Sequence, residues 1–161
     1  MINKVNMLFL TLFNVGKIKY APGTIASLIT CILYFILENY LSVFNLLLLL
    51  SIIFFYSFFA INNTFNFFDS KDPQEIVIDE VIGQMLPLLA IPIYETLYLT
   101  PKLYYFISSF LIFRFFDILK PFPINYVDKN ITGAFGIILD DILAGFFTIF
   151  VLCFIFFFLG G

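Results

Sequence analysis

Apolar residues in this chain gather into long runs separated by a few compact polar segments. Ile25 to Leu37, Leu41 to Ala60, Val81 to Leu99 and Leu103 to Leu119 are four such runs, and a fifth follows Asp140-Asp141 to about Leu159. A transmembrane helix needs roughly 20 mostly apolar residues, so the pattern predicts helices that cross a bilayer. The first run is short for a span and requires tilt or a thin membrane; with the second it reads as a helical hairpin. Pro87 and Pro92 are expected to kink the third run, which membrane helices tolerate when neighbours satisfy the freed carbonyls. Met7 to Phe13, behind Lys4, is too brief to span. No small-x-small cleavage site follows it and Lys17 and Lys19 do, so an uncleaved interfacial helix is expected rather than a signal peptide.

With the N-terminus inside, residues 14–24, 62–80 and 120–140 fall on one side of the membrane. That side carries Lys4, Lys17, Lys19, Lys71, Lys120 and Lys129, against Lys102 alone in the opposite turns. The positive-inside rule therefore assigns the three polar segments to the cytoplasm, where they can meet.

Composition agrees. Of 161 residues 62% are hydrophobic and 12% charged, whereas soluble domains are roughly 45–50% apolar and about a quarter charged. The length leaves room for about four to six spans and no appended soluble domain, hence one unit over residues 1–161. The 25 phenylalanines fit AT-rich codon usage and carry no functional reading. The lack of histidine excludes a histidine base, a phospho-histidine intermediate and His-ligated zinc. Cys31 and Cys153 stand in apolar runs without a CxxC partner or the Arg of a cysteine-phosphatase loop. A net charge of −3 offers no basic surface for nucleic acid.

The acidic residues carry the candidate chemistry. Asp72, Glu75, Asp79 and Glu80 lie within one stretch that runs into the third apolar run, and carboxylates at a membrane edge default to function. Asp79-Glu80 and Asp140-Asp141 each open a span, where the helix macrodipole favours them by only about 0.3–1 kcal/mol. Two acidic pairs on one face repel unless a cation lies between them. Mg²⁺, which takes carboxylates plus substrate phosphate, is the natural candidate. Arg114, Asp117 and Lys120, spaced i, i+3, i+6, are expected to share a face near the cytoplasmic side. They read either as a phosphate grip, Arg being suited to bidentate contact, or as a local ion pair and dipole-favoured cations. Pro22-Gly23 predicts a turn, with Thr24 as N-cap of a helix beginning at Ile25. Its free N–H groups, near Lys17 and Lys19, make a phosphate seat or an ordinary cap. Gly133 and Gly136 admit close backbone approach to a ligand or to a neighbouring helix.

The segment from Phe113 to Ile124, FRFFDILKPFPI, resembles the FRxFDxxKPxPI motif of the bacterial phosphatidylglycerophosphatase A family. Gly133 to Gly145, GAFGIILDDILAG, resembles that family's glycine-rich segment leading into Asp-Asp-x-x-Ala-Gly. IVIDEVIG at Ile76 to Gly83 is similar to its DExxG motif, and Ala21 to Leu28 to its PGT-x-G-S-L motif. Ala26 and Ala134 stand where glycines are usual, and Lys19 where proline is common. The four motifs keep the family order and span most of the chain. The resemblance implies Mg²⁺-dependent hydrolysis of phosphatidylglycerophosphate to phosphatidylglycerol and phosphate at the bacterial inner membrane, with the site facing the cytoplasm. It also implies an all-α fold, read here as a polytopic membrane bundle of about four to five spans plus short interfacial helices. With no His, no cysteine loop and no DxDx[TV] pattern, a metal-activated water is the simplest nucleophile. Asp79, Glu80, Asp140 and Asp141 are then expected to bind metal. Asp79, Asp117 and Asp141 form the expected catalytic set, Asp117 orienting water or completing the metal shell. Thr24, Arg114 and Lys120 are expected to bind the phosphate.

Two other classes use similar residues. A membrane prenyl- or phospho-alcohol transferase also needs carboxylates and Mg²⁺, and Asp69 with Asp72 superficially suggests a diphosphate-binding pair; its DGxxAR-type and NxxxDxxxD-type patterns are absent. A small transporter or assembly factor would place charges mid-span, whereas here they cluster at the ends.

Overall fold

The computed structural model describes residues 2–64, 75–97 and 101–159, and these are helical with no strand. Asp69, Lys71 and Asp72 lie outside the described residues. The helices are α1 (Ile2–Leu10), α2 (Pro22–Leu37), α3 (Val43–Thr64), α4 (Ile78–Leu89), α5 (Ile91–Leu97), α6 (Lys102–Leu119), α7 (Ile124–Asn130) and α8 (Ala134–Leu159), with a short 3₁₀ turn at Val15–Lys17.

Two of them, α3 and α8, are long and apolar enough to cross a membrane. Only 28% and 33% of their most apolar windows are buried, the reverse of a soluble protein's core helix. Phe44, Phe55, Phe150 and Phe157 all project outward, an apolar surface suited to contact with a membrane. The predicted third run is not one kinked helix but two: α4 ends at Leu89, Ala90 caps it, and α5 restarts with Pro92 in its first turn. The N-terminal run does form the expected short helix, α1, which lies on α3. There the Tyr56 hydroxyl donates to Asn6 Oδ1 at 2.9 Å and the Phe9 ring meets Tyr56 edge-on.

The centre of the bundle is α4, packed against α8, α2, α3 and α6. It reaches α8 at backbone contact because both helices lack side chains there. A Cβ on Gly83 would stand 2.6 Å from the Asp141 carbonyl oxygen and 2.7 Å from the Phe113 ring. One on Gly145 would stand 2.5 Å from the Gly83 carbonyl oxygen. Small residues permit this approach where lipid provides no hydrophobic drive between helices. Gly83 lies one turn after Asp79, and Gly145 one turn after Asp141, so the closest contact sits directly beneath both acidic pairs. At the far end, Tyr94 stacks on Tyr105 with centroids 5.4 Å apart and donates to the Ile149 carbonyl at 3.0 Å, tying α5 and α6 to α8. Lys102 closes that end by pairing with Glu38 at 2.7 Å and Glu95 at 3.6 Å.

Replacing Gly145 by Val forces α4 away from α8. We expect a loss of about 1–3 kcal/mol of stability, read as a lower thermal unfolding midpoint in detergent. An unchanged midpoint would mean that the two helices do not touch at this level.

Candidate active site

At the end of the bundle opposite Lys102, the starts of α2 and α4, the end of α6 and the first turns of α8 enclose a cavity of about 410 Å³. Every residue singled out from the sequence as catalytic, phosphate-binding or metal-binding lines it: Thr24, Asp79, Glu80, Arg114, Asp117, Lys120, Asp140 and Asp141.

Asp79, Glu80 and Asp141 each offer a carboxylate oxygen, and the three oxygens lie within 4.8 Å of one another. Asp79 and Asp141 are 8% and 3% exposed. Asp79 Oδ1, Glu80 Oε2 and Asp141 Oδ1 are buried with no hydrogen-bond partner. An unpaired buried charge is costly, and here three acceptors converge without a donor. An all-oxygen, anionic donor set of this size fits a hard divalent cation.

Asp140 behaves differently from its neighbour. Its Oδ2 accepts a hydrogen bond from Lys120 Nζ at 2.6 Å, and the same ammonium also pairs with Asp128. Burial by itself would lower the Lys120 pKa, but the two carboxylates outweigh it and hold the ammonium above its ordinary value. Asp140 Oδ1 has no partner and adjoins the acidic set. Lys120 does not reach the site from a helical face shared with Arg114, as its spacing suggests. Helix α6 stops at Leu119, and Lys120 caps it in the left-handed conformation at φ 43°. Pro121 bars the helix from continuing, since a residue before proline avoids the α region.

Arg114 does form the expected i, i+3 pair with Asp117. Its guanidinium also lies 3.9 Å from Glu80 and donates to Ser27 Oγ at 3.4 Å, while its buried Nε has no partner.

Thr24 is not an N-cap. Helix α2 opens two residues earlier, with Ala21 as cap at φ 47° and Pro22 at N1. Proline suits that position because its missing N–H is one the helix leaves unbonded anyway. Thr24 is therefore inside the first turn and still faces the cavity. Gly23 takes a role the sequence reading did not give it: a Cβ there would fall 1.8 Å from Glu80 Oε1. The start of α2 thus presses its backbone onto the Glu80 carboxylate. Two non-glycine residues with positive φ, Ala21 and Lys120, border this one cavity, and strained backbone of that kind concentrates at functional sites.

Asp128 and Ser27 also escaped the sequence reading. Asp128 sits on α7 as one isolated acid among polar neighbours, and no local spacing links it to Lys120. Ser27 was in view only as part of a motif. Gly133 and Gly136 shape the entry to α8 rather than its packing on α6; a Cβ on Gly136 would strike the Ile131 carbonyl oxygen at 2.0 Å.

A family model described as Phosphatidylglycerophosphatase A matches residues 8–156. The chain belongs to the phosphatidylglycerophosphatase A family. All the cavity residues, from Lys19 to Asp141, fall inside the matched range. A Haemophilus influenzae protein named phosphatidylglycerophosphatase A is 37% identical over 86% of this chain and 81% of its own length. An Escherichia coli protein of the same name is 32% identical over 89% of this chain and 78% of its own. A Bacteroides thetaiotaomicron protein with the provisional name phosphatidylinositol-3-phosphatase is 34% identical over 84% of each. No solved structure matches.

Two changes that leave every acidic residue of the set unsubstituted test this arrangement. Gly23→Ala displaces the Glu80 carboxylate, and Asp128→Ala leaves Lys120 held by Asp140 alone. Each is expected to lower phosphatase kcat/KM by about tenfold or more, the equivalent of one charged hydrogen bond. Wild-type kinetics in either variant would show that the corresponding contact does not shape the site.

Proposed function

We propose that this protein hydrolyses phosphatidylglycerophosphate to phosphatidylglycerol and phosphate, using Mg²⁺, at the cytoplasmic face of the bacterial inner membrane. The observation that carries the reading is the convergence of three carboxylates, each with one buried oxygen that has no hydrogen-bond partner, with Arg114 and Lys120 around one cavity. In the family's terms these are a cation seat beside a phosphate grip.

Asp79, Glu80 and Asp141 would hold the ion, with the free oxygen of Asp140 next to it. When bound, Mg²⁺ supplies Lewis-acid stabilisation of charge on the transferring phosphoryl group. Arg114, fixed by Asp117 and Ser27, presents its guanidinium edge to the phosphate. Lys120 has three N–H donors; Asp128 and Asp140 take two, and the third serves the substrate. Thr24 adds a hydroxyl at the cavity wall, and Asp117 orients the attacking water. The water oxygen forms the new bond to phosphorus, the bond to the primary glycerol oxygen breaks, and that oxygen acquires the proton the water loses.

Membrane placement follows from the same frame. Helices α2 and α6, of 16 and 18 residues, measure about 24 and 27 Å at about 1.5 Å per residue. Beside α3 and α8 they make four crossings of a core about 30 Å thick, and the broken α4–α5 pair makes a fifth. Lys17, Lys19, Lys120 and Lys129 lie towards the cavity end in this arrangement, and positive charge favours the cytoplasm.

The deciding experiment is phosphate release from phosphatidylglycerophosphate by detergent-purified protein. Release with Mg²⁺, loss with EDTA and loss in Asp79→Asn are expected; EDTA-resistant release would remove the metal from the reading. Phosphatidylinositol 3-phosphate belongs in the same assay, because the Bacteroides relative's name points there; preferential turnover of it would reassign the headgroup.

Thermal unfolding gives an independent check. Carboxylate ligands hold a divalent cation only when deprotonated, so Mg²⁺ competes with protons for the acidic set. Its stabilising shift is expected to be larger at about pH 8 than at about pH 5. An equal shift at both values would place the ion elsewhere.

A further inference from the structure

We propose that Lys19 binds the bridging phosphodiester of the lipid substrate, the phosphate that does not react. This inference deepens the lipid-phosphatase reading and rests on it. Phosphatidylglycerophosphate carries two phosphates joined through the carbons of a glycerol. Arg114 and Lys120 account for the terminal one and leave the bridging charge unanswered.

Among the described residues three cations line the cavity: Lys19, Arg114 and Lys120. The protein already neutralises two of them. Arg114 pairs with Asp117 and lies beside Glu80, and Lys120 is shared by Asp128 and Asp140. Lys19 has no ion-pair partner among the described residues. Its ammonium rests over the Tyr20 ring, 5.6 Å from the centroid. Such a contact orients the cation without supplying a counter-charge.

The lining is graded by depth. Asp79, Asp140 and Asp141 are buried, Arg114 and Lys120 are half-buried, and Lys19 is exposed. A ligand whose reacting phosphate is gripped by Arg114 and Lys120 beside the acidic floor must extend outward, and Lys19 is the cation it meets there. The cavity measures about 410 Å³, whereas an apolar cavity of about 150 Å³ already holds a benzene ring. It therefore admits more than a lone phosphate.

The segment that carries Lys19 is held at both ends. A Cβ on Gly16 would stand 1.9 Å from the Glu75 carbonyl oxygen, and Gly23 is pressed onto Glu80 in the same way. Between them Ala21, in the left-handed region at φ 47°, turns the chain into α2. A cation presented from a fixed lip loses less freedom on binding than one on a loose loop. Lys19 stands where proline is common in the family's motif, so the contact is an addition of this chain to the shared grip.

The test uses phosphatidylglycerophosphate and its methyl phosphotriester, in which a methyl group caps the bridging phosphate and removes its charge. Phosphate release from each is measured in detergent with Mg²⁺ on the full chain. Wild-type protein is expected to favour the diester by about fivefold in kcat/KM, the upper end for one solvent-screened ion pair. Lys19→Gln is expected to lose that factor on the diester and to match wild type on the triester. Lys4→Gln removes the same charge outside the cavity and is expected to behave as wild type. A wild type without the preference, or a Lys19→Gln variant that keeps it, overturns the assignment. Equal losses on both lipids would mean that Lys19 serves the reacting phosphate or the fold. The same effect in Lys4→Gln would mean a general attraction of anionic lipid to basic surface; each of these also overturns it. If wild-type protein releases phosphate from neither lipid, it is the lipid-phosphatase reading that fails, and the Lys19 assignment with it.

Discussion

Everything at the active end depends on holding like charges together out of water. Asp79, Glu80 and Asp141 repel one another and lose solvation on burial, so no local preference assembles them. What does so is the backbone contact of α4 on α8 at Gly83 and Gly145, one turn below the carboxylates. The steric constraint is mutual. A side chain at position 83 would strike the Asp141 carbonyl and the Phe113 ring, so only glycine permits this approach. The bundle thus imposes the charge arrangement, and the ion proposed for it would relieve the strain.

The cations are fixed by the same logic in reverse. Arg114 is braced by Asp117 and Ser27, and Lys120 by Asp128 and Asp140. Long flexible side chains ordinarily lose considerable rotamer freedom when they bind. Here part of that cost is met before a substrate arrives, which is the physical content of preorganisation. The residues doing the bracing come from α2, α6, α7 and α8, so the site exists only when the tertiary packing is complete.

Much of this was legible in the sequence, because the signals were local. Apolar runs gave the helices, doubled acids at run boundaries gave the cavity's floor, and four motifs in order gave the family. What escaped depended on distance along the chain or on the shape of a turn. Asp128 reveals its tie to Lys120 only once α7 folds back beside α8. Gly23 matters because Glu80, far away in sequence, arrives against it. Thr24 reads as a cap when Pro-Gly is taken as a turn, whereas proline at N1 already begins the helix. The break at Ala90 was foreshadowed by two prolines, but a kink and a full restart look alike from sequence.

The Asp140-Asp141 dipeptide has a broader implication. Successive residues on a helix point roughly 100° apart, and in this pair the two acids diverge. Asp141 turns into the acidic set while Asp140 turns to Lys120. One aspartate would face the cation proposed to come from solution, and the other faces a cation the protein carries itself. This doubled acid is then divided between two charge-neutralising tasks, and counting both its carboxylates would overstate what it offers a metal ion.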